Sequence, residues 1–206
     1  MLEINQLSIS IGDKLLFSPI NLVVEPNTIT VLMGSSGIGK TSILSAIGGF
    51  IEYNGTITVG EHFTVFQDSH QLFPWFTIRK NLDLVCKIPY ENIIHDWKLD
   101  NLLNRYPNEI SGGQRQRITL IRAICSGADI LLCDEPLSGL DAVTRYFVIN
   151  DLKNTLARLK ISSLFITHDL HEAQQISDNI LLLTKNGIVK LPKGINETDF
   201  IAQISH

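Results

Sequence analysis

The chain has 206 residues, 44% of them hydrophobic and 18% charged, with a formal net charge of −4 and an isoelectric point near 5.8. These values describe a globular chain long enough for a full core. They exclude an intrinsically disordered segment, and they offer no basic field to recruit nucleic acid. Three cysteines, Cys86, Cys125 and Cys133, are odd in number and widely spaced, which reads as reduced thiols packed as small hydrophobes. No apolar run has the length of a membrane span and no signal-peptide pattern opens the sequence. The expectation is a cytoplasmic chain, with any membrane crossing supplied by another chain.

Taken in order, residues 2–5 and 7–11 alternate in polarity as half-buried antiparallel strands. Leu15-Leu16-Phe17 and residues 20–24 continue them. Pro26-Asn27 marks a turn. The apolar run Ile29-Thr30-Val31-Leu32-Met33 then enters Gly34-Ser35-Ser36-Gly37-Ile38-Gly39-Lys40-Thr41, which fits G-x-x-x-x-G-K-[ST] at every position. Strand, glycine loop and helix in succession make a phosphate cradle. Glycines let successive backbone N–H groups turn toward one anion, and the helix start adds unpaired donors. Lys40 is spaced to reach β- and γ-phosphates, and the Thr41 hydroxyl to take a Mg²⁺ ligand position.

The helix after Thr41 carries Ile43, Leu44 and Ile47 and stops at Gly48-Gly49. Residues 55–59 and 63–66 read as two short strands. Across 72–110, prolines at 74, 89 and 107 interrupt short helical patches, the pattern of an inserted helical subdomain. Continuous apolar strands return at Ile130-Leu131-Leu132-Cys133 and Leu164-Phe165-Ile166, suited to a parallel sheet buried on both faces. Between them Val148, Leu152, Leu156 and Leu159 share one helix face. Residues 180–183 and 188–191 flank Asn186-Gly187 as a hairpin. Residues 192–206 read as a short polar tail without a second domain.

Four further motifs bear on chemistry. Asp134 and Glu135 end an apolar strand. Beside a phosphate loop, Asp134 is placed to hold Mg²⁺ and Glu135 to polarise a water in line with the γ-phosphate. Ser111-Gly112-Gly113-Gln114 has capping-box form and opens a helix with Ile118, Ile121 and Cys125 on one face, a second anion-binding helix start. Asp141, in Ser138-Gly139-Leu140-Asp141, reads as the N-cap of the long helix that follows. His168 closes the strand of residues 164–166, at the sheet edge where open α/β folds bind ligands, and is assigned a γ-phosphate contact.

Together these motifs resemble the nucleotide-binding subunits of ATP-binding cassette transporters, and the likeness runs over essentially the whole chain. Residues 34–41 match the Walker A loop, 130–134 the Walker B strand and Glu135 the catalytic carboxylate. Residues 110–114 match the signature sequence, with Ile110 for the usual Leu. Residues 138–141 match the D-loop, His168 the switch histidine and Gln67 the Q-loop glutamine. The resemblance implies an α/β fold: one P-loop NTPase (RecA-like) domain over 1–206 with a mostly parallel sheet. A small antiparallel β-subdomain, about 1–28 and 51–66, and a helical subdomain, about 72–126, complete it.

It further implies ATP and Mg²⁺ as cofactors, with Thr41, Gln67 and Asp134 organising the metal and Lys40, Glu135 and His168 serving hydrolysis. Two copies pair head to tail, each ATP held between one Walker A loop and the partner's signature stretch at 111–114. A separate integral-membrane permease keeps the chain peripheral on the inner face of the cell membrane. Two departures stand out. Ile11-Gly12 occupies the place of the usual adenine-stacking aromatic, so that stack is absent unless Phe17 substitutes, at a cost of about 1 kcal/mol. The span from Lys40 to Gln67 is also short for the family.

Leu72-Phe73-Pro74-Trp75 resembles a segment of importers for nitrate, sulfonates and taurine, which implies a substrate-binding protein as an indirect partner. The bland reading is that Phe73, Trp75 and Phe76 pack the helical subdomain. An exporter, a lipid-extraction ATPase or a soluble cassette ATPase are the other readings. A DNA-repair ATPase needs a long coiled-coil insertion that the interval from Gln67 to Ser111 does not hold.

Overall fold

The computed structural model describes residues 1–12, 14–67 and 71–204, with the side chains of Ile11 and Ile204 outside that set. The chain starts with β1 (Leu2–Ser8), a short hairpin of β2 (Ser10–Ile11) and β3 (Lys14–Leu15), then β4 (Ile20–Val24) and β5 (Ile29–Gly34). Next come α1 (Lys40–Ile47), β6 (Asn54–Val59) and β7 (His62–Val65). Short helices α2 (Ile78–Asp83) and α3 (Glu91–Asp96), 3-10 turns at Asp100–Leu102 and Pro107–Glu109, and α4 (Gly112–Ile124) lead to β8 (Ile130–Asp134). The remainder is α5 (Ala142–Leu159), β9 (Ser162–Ile166), α6 (Leu170–Ile176), β10 (Asn179–Thr184), β11 (Gly187–Leu191) and α7 (Glu197–Ile204).

A six-stranded sheet runs in the order β11-β10-β5-β9-β8-β7, parallel except for the β10–β11 hairpin. Its strands β5, β8 and β9 are buried along their length, which is why they read as largely apolar runs. Alternate residues serve opposite faces. Val31, Met33, Leu131, Cys133 and Phe165 join one core with α4, α5 and the helical stretch 72–110. Leu32, Ile130, Leu132, Leu164 and Ile166 join another with α1 and the antiparallel sheet β4-β1-β6.

In the first core Trp97 is fully buried, and its Nε1 donates to Thr155 Oγ1 at 3.1 Å, locking the segment around α3 onto α5. The apolar stripe expected between the two buried strands is present on α5: Val148, Leu152 and Leu156 are buried and Leu159 partly so. The hairpin turn falls one residue earlier than Asn186-Gly187: Thr184 pairs with Gly187, so Lys185-Asn186 form the two-residue loop and Gly187 opens β11.

Two further expectations are corrected. Residues 51–66 do not lie wholly in the antiparallel sheet, because β7 pairs parallel with β8, Val65 opposite Cys133. Alternation marks a strand but not its partner. That is chosen by the backbone groups left free at a sheet edge, here with Asp129 N also donating to Glu61 O at 2.7 Å. Residues 192–204 are not merely a polar tail. Asn196 Oδ1 accepts the Asp199 N–H at 2.8 Å, α7 follows, and Ile195 and Phe200 are buried in the first core. Two apolar residues among polar ones suffice for docking when they fall on one side of a turn and helix. Residues 205–206 of that expectation lie outside the described residues.

Candidate nucleotide site

The loop between β5 and α1 is shaped by its glycines. Gly37 (φ 76°) and Gly39 (φ 112°) lie in the left-handed region, and a Cβ on Gly39 would sit 2.9 Å from the Phe17 ring. A side chain at 39 is excluded by backbone and by space alike. Gly39 caps α1 with no side-chain bond, so no side chain covers the first amide N–H groups of the helix. These donors, at the positive end of the helix dipole, form an anion seat.

Lys40 is buried, and its Nζ donates to the carbonyls of Gly34 at 2.8 Å and Ser35 at 3.0 Å. Burial lowers its pKa, with the Glu135 and Asp134 carboxylates opposing that shift. A phosphate oxygen arriving in the loop offers the ammonium a charged acceptor in exchange for two neutral ones.

β8 delivers the acids. Thr41 Oγ1 donates to Asp134 Oδ2 at 2.7 Å, and burial raises the Asp134 pKa against the pull of that bond and of Lys40. A hydroxyl and a carboxylate this close, beside a phosphate seat, are the hard oxygen donors that Mg²⁺ takes along with water and phosphate oxygens. The residues present fit that ion.

Glu135 leaves β8 at φ 46°, a left-handed conformation that costs a non-glycine residue energy and clusters at functional sites. Its amide donates to Ile166 O at 3.0 Å, tying the turn to the neighbouring strand. Its carboxylate accepts from His168, Nδ1 to Oε1, at 2.9 Å. Glu135 and His168, far apart in sequence, therefore meet because β8 and β9 are parallel neighbours ending at one level, Asp134 opposite Ile166.

Sequence reasoning missed the residues behind this pair. Arg145 Nη1 of α5 donates to Asp169 Oδ2 at 2.9 Å, and its Nε lies 3.9 Å from Glu172 Oε2. Burial pushes the Glu172 pKa up to about 7, with Thr167, Arg145 and His168 opposing and Asp169 adding. The Gln116 side-chain amide donates to Pro136 O, joining α4 to the segment just after Glu135. No signal distinguished Gln116 within the polar run 114–117, because only packing reveals which member points inward.

Among the described residues, none of the other expected residues bonds to the loop, and Ser111, Gln114 and Asp141 are held by bonds of their own. Ser111 and Gln114 close a reciprocal capping box: Gln114 N donates to Ser111 Oγ at 3.2 Å and Ser111 N to Gln114 Oε1 at 2.9 Å. Gly112 is exposed, and Gly113 comes near Leu140. Asp141 is the N-cap of α5, accepting from Val143 N at 3.1 Å and Thr144 N at 3.0 Å; the Thr144 side chain and then these amides lower its pKa. Gln67 is exposed, two residues beyond β7 and its pairing of Val65 with Cys133.

A cavity of about 500 Å³ adjoins Ser35, Ser36, Gly37 and Ile38, walled by Leu15, Leu16 and Lys185. Phe17 is 2% exposed and belongs to the core beneath the loop. Its ring nevertheless lines that cavity, so only a small edge of it is turned toward the loop. The side chain of Ile11 lies outside the described residues.

The ABC transporter family profile matches residues 17–138. The aliphatic sulfonates import ATP-binding protein of Rhodococcus jostii (strain RHA1) is 35% identical over 188 residues, 86% of this chain and 77% of its own length. The spermidine/putrescine import ATP-binding protein of Mannheimia succiniciproducens is 35% identical over 211 residues, 91% of this chain but only 56% of its own length. A solved structure described as the ATP binding subunit of an ABC transporter aligns over the whole of both chains with a TM-score of 0.85 at 19% identity, a likeness of fold. Motif order, fold and relatives agree: the chain belongs to the ABC transporter family, as one of its ATP-binding, ATP-hydrolysing subunits.

Proposed function

We propose that the chain drives import of a small solute through a separate membrane permease, and that two copies close head to tail on two ATP molecules. The observation that carries the chemistry is the meeting of Glu135 and His168 at 2.9 Å beside the Thr41–Asp134 bond at the phosphate loop. In this reading the loop amides of 34–41 and Lys40 hold the β- and γ-phosphates. Glu135 accepts a proton from the attacking water, and His168 orients that carboxylate and contacts the γ-phosphate. Thr41, Asp134 and Gln67 would hold Mg²⁺, which neutralises charge on the transferring phosphoryl group.

The Ser111-Gly112-Gly113-Gln114 helix start, exposed at its first residues, suits the partner's triphosphate. Asp141 lies at the same interface. Two helix N-termini from different copies then grip one ligand, and neither site is complete alone.

The import direction rests on the relatives, whose names carry different cargoes. Cargo choice is accordingly assigned to the permease and a substrate-binding protein. The Leu72–Trp75 segment favours the nitrate, sulfonate and taurine type. Leu72 is buried, but Trp75 is 67% exposed and clusters with Phe73 and Phe76, so these rings do more than fill the helical region. The antiparallel unit of β1, β4 and β6 and the helical unit over 72–126 flank the nucleotide-binding core. The described residues contain no helix long and apolar enough to cross a membrane, which is consistent with peripheral attachment to the inner face through the permease.

The test is Glu135→Gln in the presence of ATP and Mg²⁺. Hydrolysis falls by about 10²–10⁴, while sizing chromatography shows an ATP-dependent dimer. An unchanged rate refutes the role of Glu135. A variant that stays monomeric while binding ATP refutes the sandwich.

A further inference from the structure

Away from the nucleotide site, two cysteines distant in sequence are held side by side. Cys86 follows α2 and Cys125 caps the C-terminus of α4. Lys87 N and Ile88 N both donate to Cys125 O, at 2.7 and 3.2 Å. Those backbone bonds set the two side chains against the same core, with Cys86 half-buried and Cys125 buried behind it.

Arg122, about one turn earlier on α4, is 5% exposed, yet among the described residues no carboxylate lies within ion-pair distance of it. Its Nε has no hydrogen-bond partner, and its guanidinium lies 5.9 Å from the centre of the Phe73 ring. A buried guanidinium with no anion beside it among the described residues is costly, and a thiolate at Cys86 is a charge that relieves it. The neighbouring Cys125 thiol and the charge of Arg122 lower the Cys86 pKa, against burial and the carboxylates of Asp83 and Glu91. The neighbouring Cys86 and then burial raise that of Cys125. The pair thus has an accessible, activated sulfur in front and a protonated one behind.

We propose that Cys86 and Cys125 form a reversible dithiol–disulfide site for hydroperoxides, Cys86 attacking and Cys125 resolving, with Arg122 as the positioning cation. The Cys86 thiolate attacks one peroxide oxygen. An S–O bond forms as the O–O bond breaks, and the departing alkoxide or hydroxide takes a proton from water. The Cys125 sulfur then attacks the sulfenic sulfur, the S–S bond replaces S–O, and the displaced hydroxide leaves as water with the Cys125 proton. The two thiols together give up two electrons, and an external thiol reverses the step by exchange. Pairing removes the negative charge facing Arg122. Because Arg122 lies on Phe73, whose ring centre is 5.9 Å from that of the exposed Trp75, the change reaches the aromatic surface.

The experiment uses the reduced full chain and hydrogen peroxide. Peptide mapping yields a Cys86–Cys125 linked pair short of two hydrogens and restored by dithiothreitol. Trp75 emission shifts on oxidation and returns on reduction, and the Trp75→Phe variant loses the shift. Iodoacetamide labels Cys86 ahead of Cys133, and Arg122→Met slows that labelling at neutral pH, because less of the sulfur is thiolate without the neighbouring charge. Cys125→Ala halts at a sulfenic acid trapped by dimedone, and should that variant misfold, the wild-type map decides alone. Oxidation of Cys86 to sulfinic acid with Cys125 still a thiol overturns the proposal. So does persistence of both thiols, or labelling of Cys86 at equal rates with and without Arg122.

Discussion

Glu172 is a carboxyl group buried behind the candidate catalytic pair, and replacing it with glutamine tests how the fold holds that charge. It is 5% exposed, faced by Arg145 of α5 and by Asp169, His168 and Thr167 around its own helix start. Burial raises its pKa from 4.5 to about 7. The raised value fixes the sign. Between 4.5 and about 7 the folded chain keeps a proton that the unfolded chain has released, so stability falls as pH rises through that window and stays low above it. At about 1.4 kcal/mol per pKa unit, the full penalty is about 3 kcal/mol, of which roughly 2 kcal/mol develops between about pH 5 and about pH 8. Glutamine keeps the shape and an accepting oxygen but has nothing to ionise. Melting temperatures of wild type and Glu172→Gln should nearly coincide at about pH 5. At about pH 8 the variant should melt higher by about 4–8 °C, the shift expected of roughly 2 kcal/mol in a domain of this size. Parallel melting curves across that range would refute the reasoning, and so would a variant destabilised most at high pH.

The other predictions concern the loop, the sandwich and the core. Lys40→Ala abolishes tight ATP binding, and unchanged affinity by calorimetry contradicts the phosphate assignment. Gly39→Ala forces a Cβ against Phe17 in a left-handed backbone, so both melting temperature and ATP affinity fall; full retention of both denies the loop its shape. Mixing Ser111→Arg protein with wild type gives mixed dimers of less than proportional ATPase activity, whereas strictly proportional rates mean the copies act independently. Trp97→Ala removes a fully buried ring and leaves Thr155 Oγ1 without its donor, which costs about 3–5 kcal/mol by denaturant titration; a loss under about 1 kcal/mol rejects Trp97 as the lock between α3 and α5.

Local patterns were readable wherever the chemistry sits within a few residues. The phosphate loop needs glycines at fixed positions to bend and a helix start to donate, so residues 34–41 announce both its shape and its purpose. The box at Ser111 and Gln114 and the cap at Asp141 are likewise local bonds, and they form where their spacing puts them. Inner strands β5, β8 and β9 are legible because burial on two faces keeps them mostly apolar, with only small polar residues such as Thr30 and Ser163 between. Less legible was β7, since four residues name a strand without naming its neighbour. The last described helix was hidden by polar composition around Ile195 and Phe200.

The sequence by itself determined which residues can bind phosphate, take a proton or begin a helix, because those properties belong to single residues and short spacings. Tertiary structure decided which of them meet. Parallel register brought Glu135 to His168 and folding over β8 brought Thr41 to Asp134. Burial left Glu172 and Arg122 in surroundings that no neighbouring residue in the chain foretells. The reason is physical: desolvation and through-space pairing depend on what other elements pack alongside, and that is fixed only when the sheet has closed.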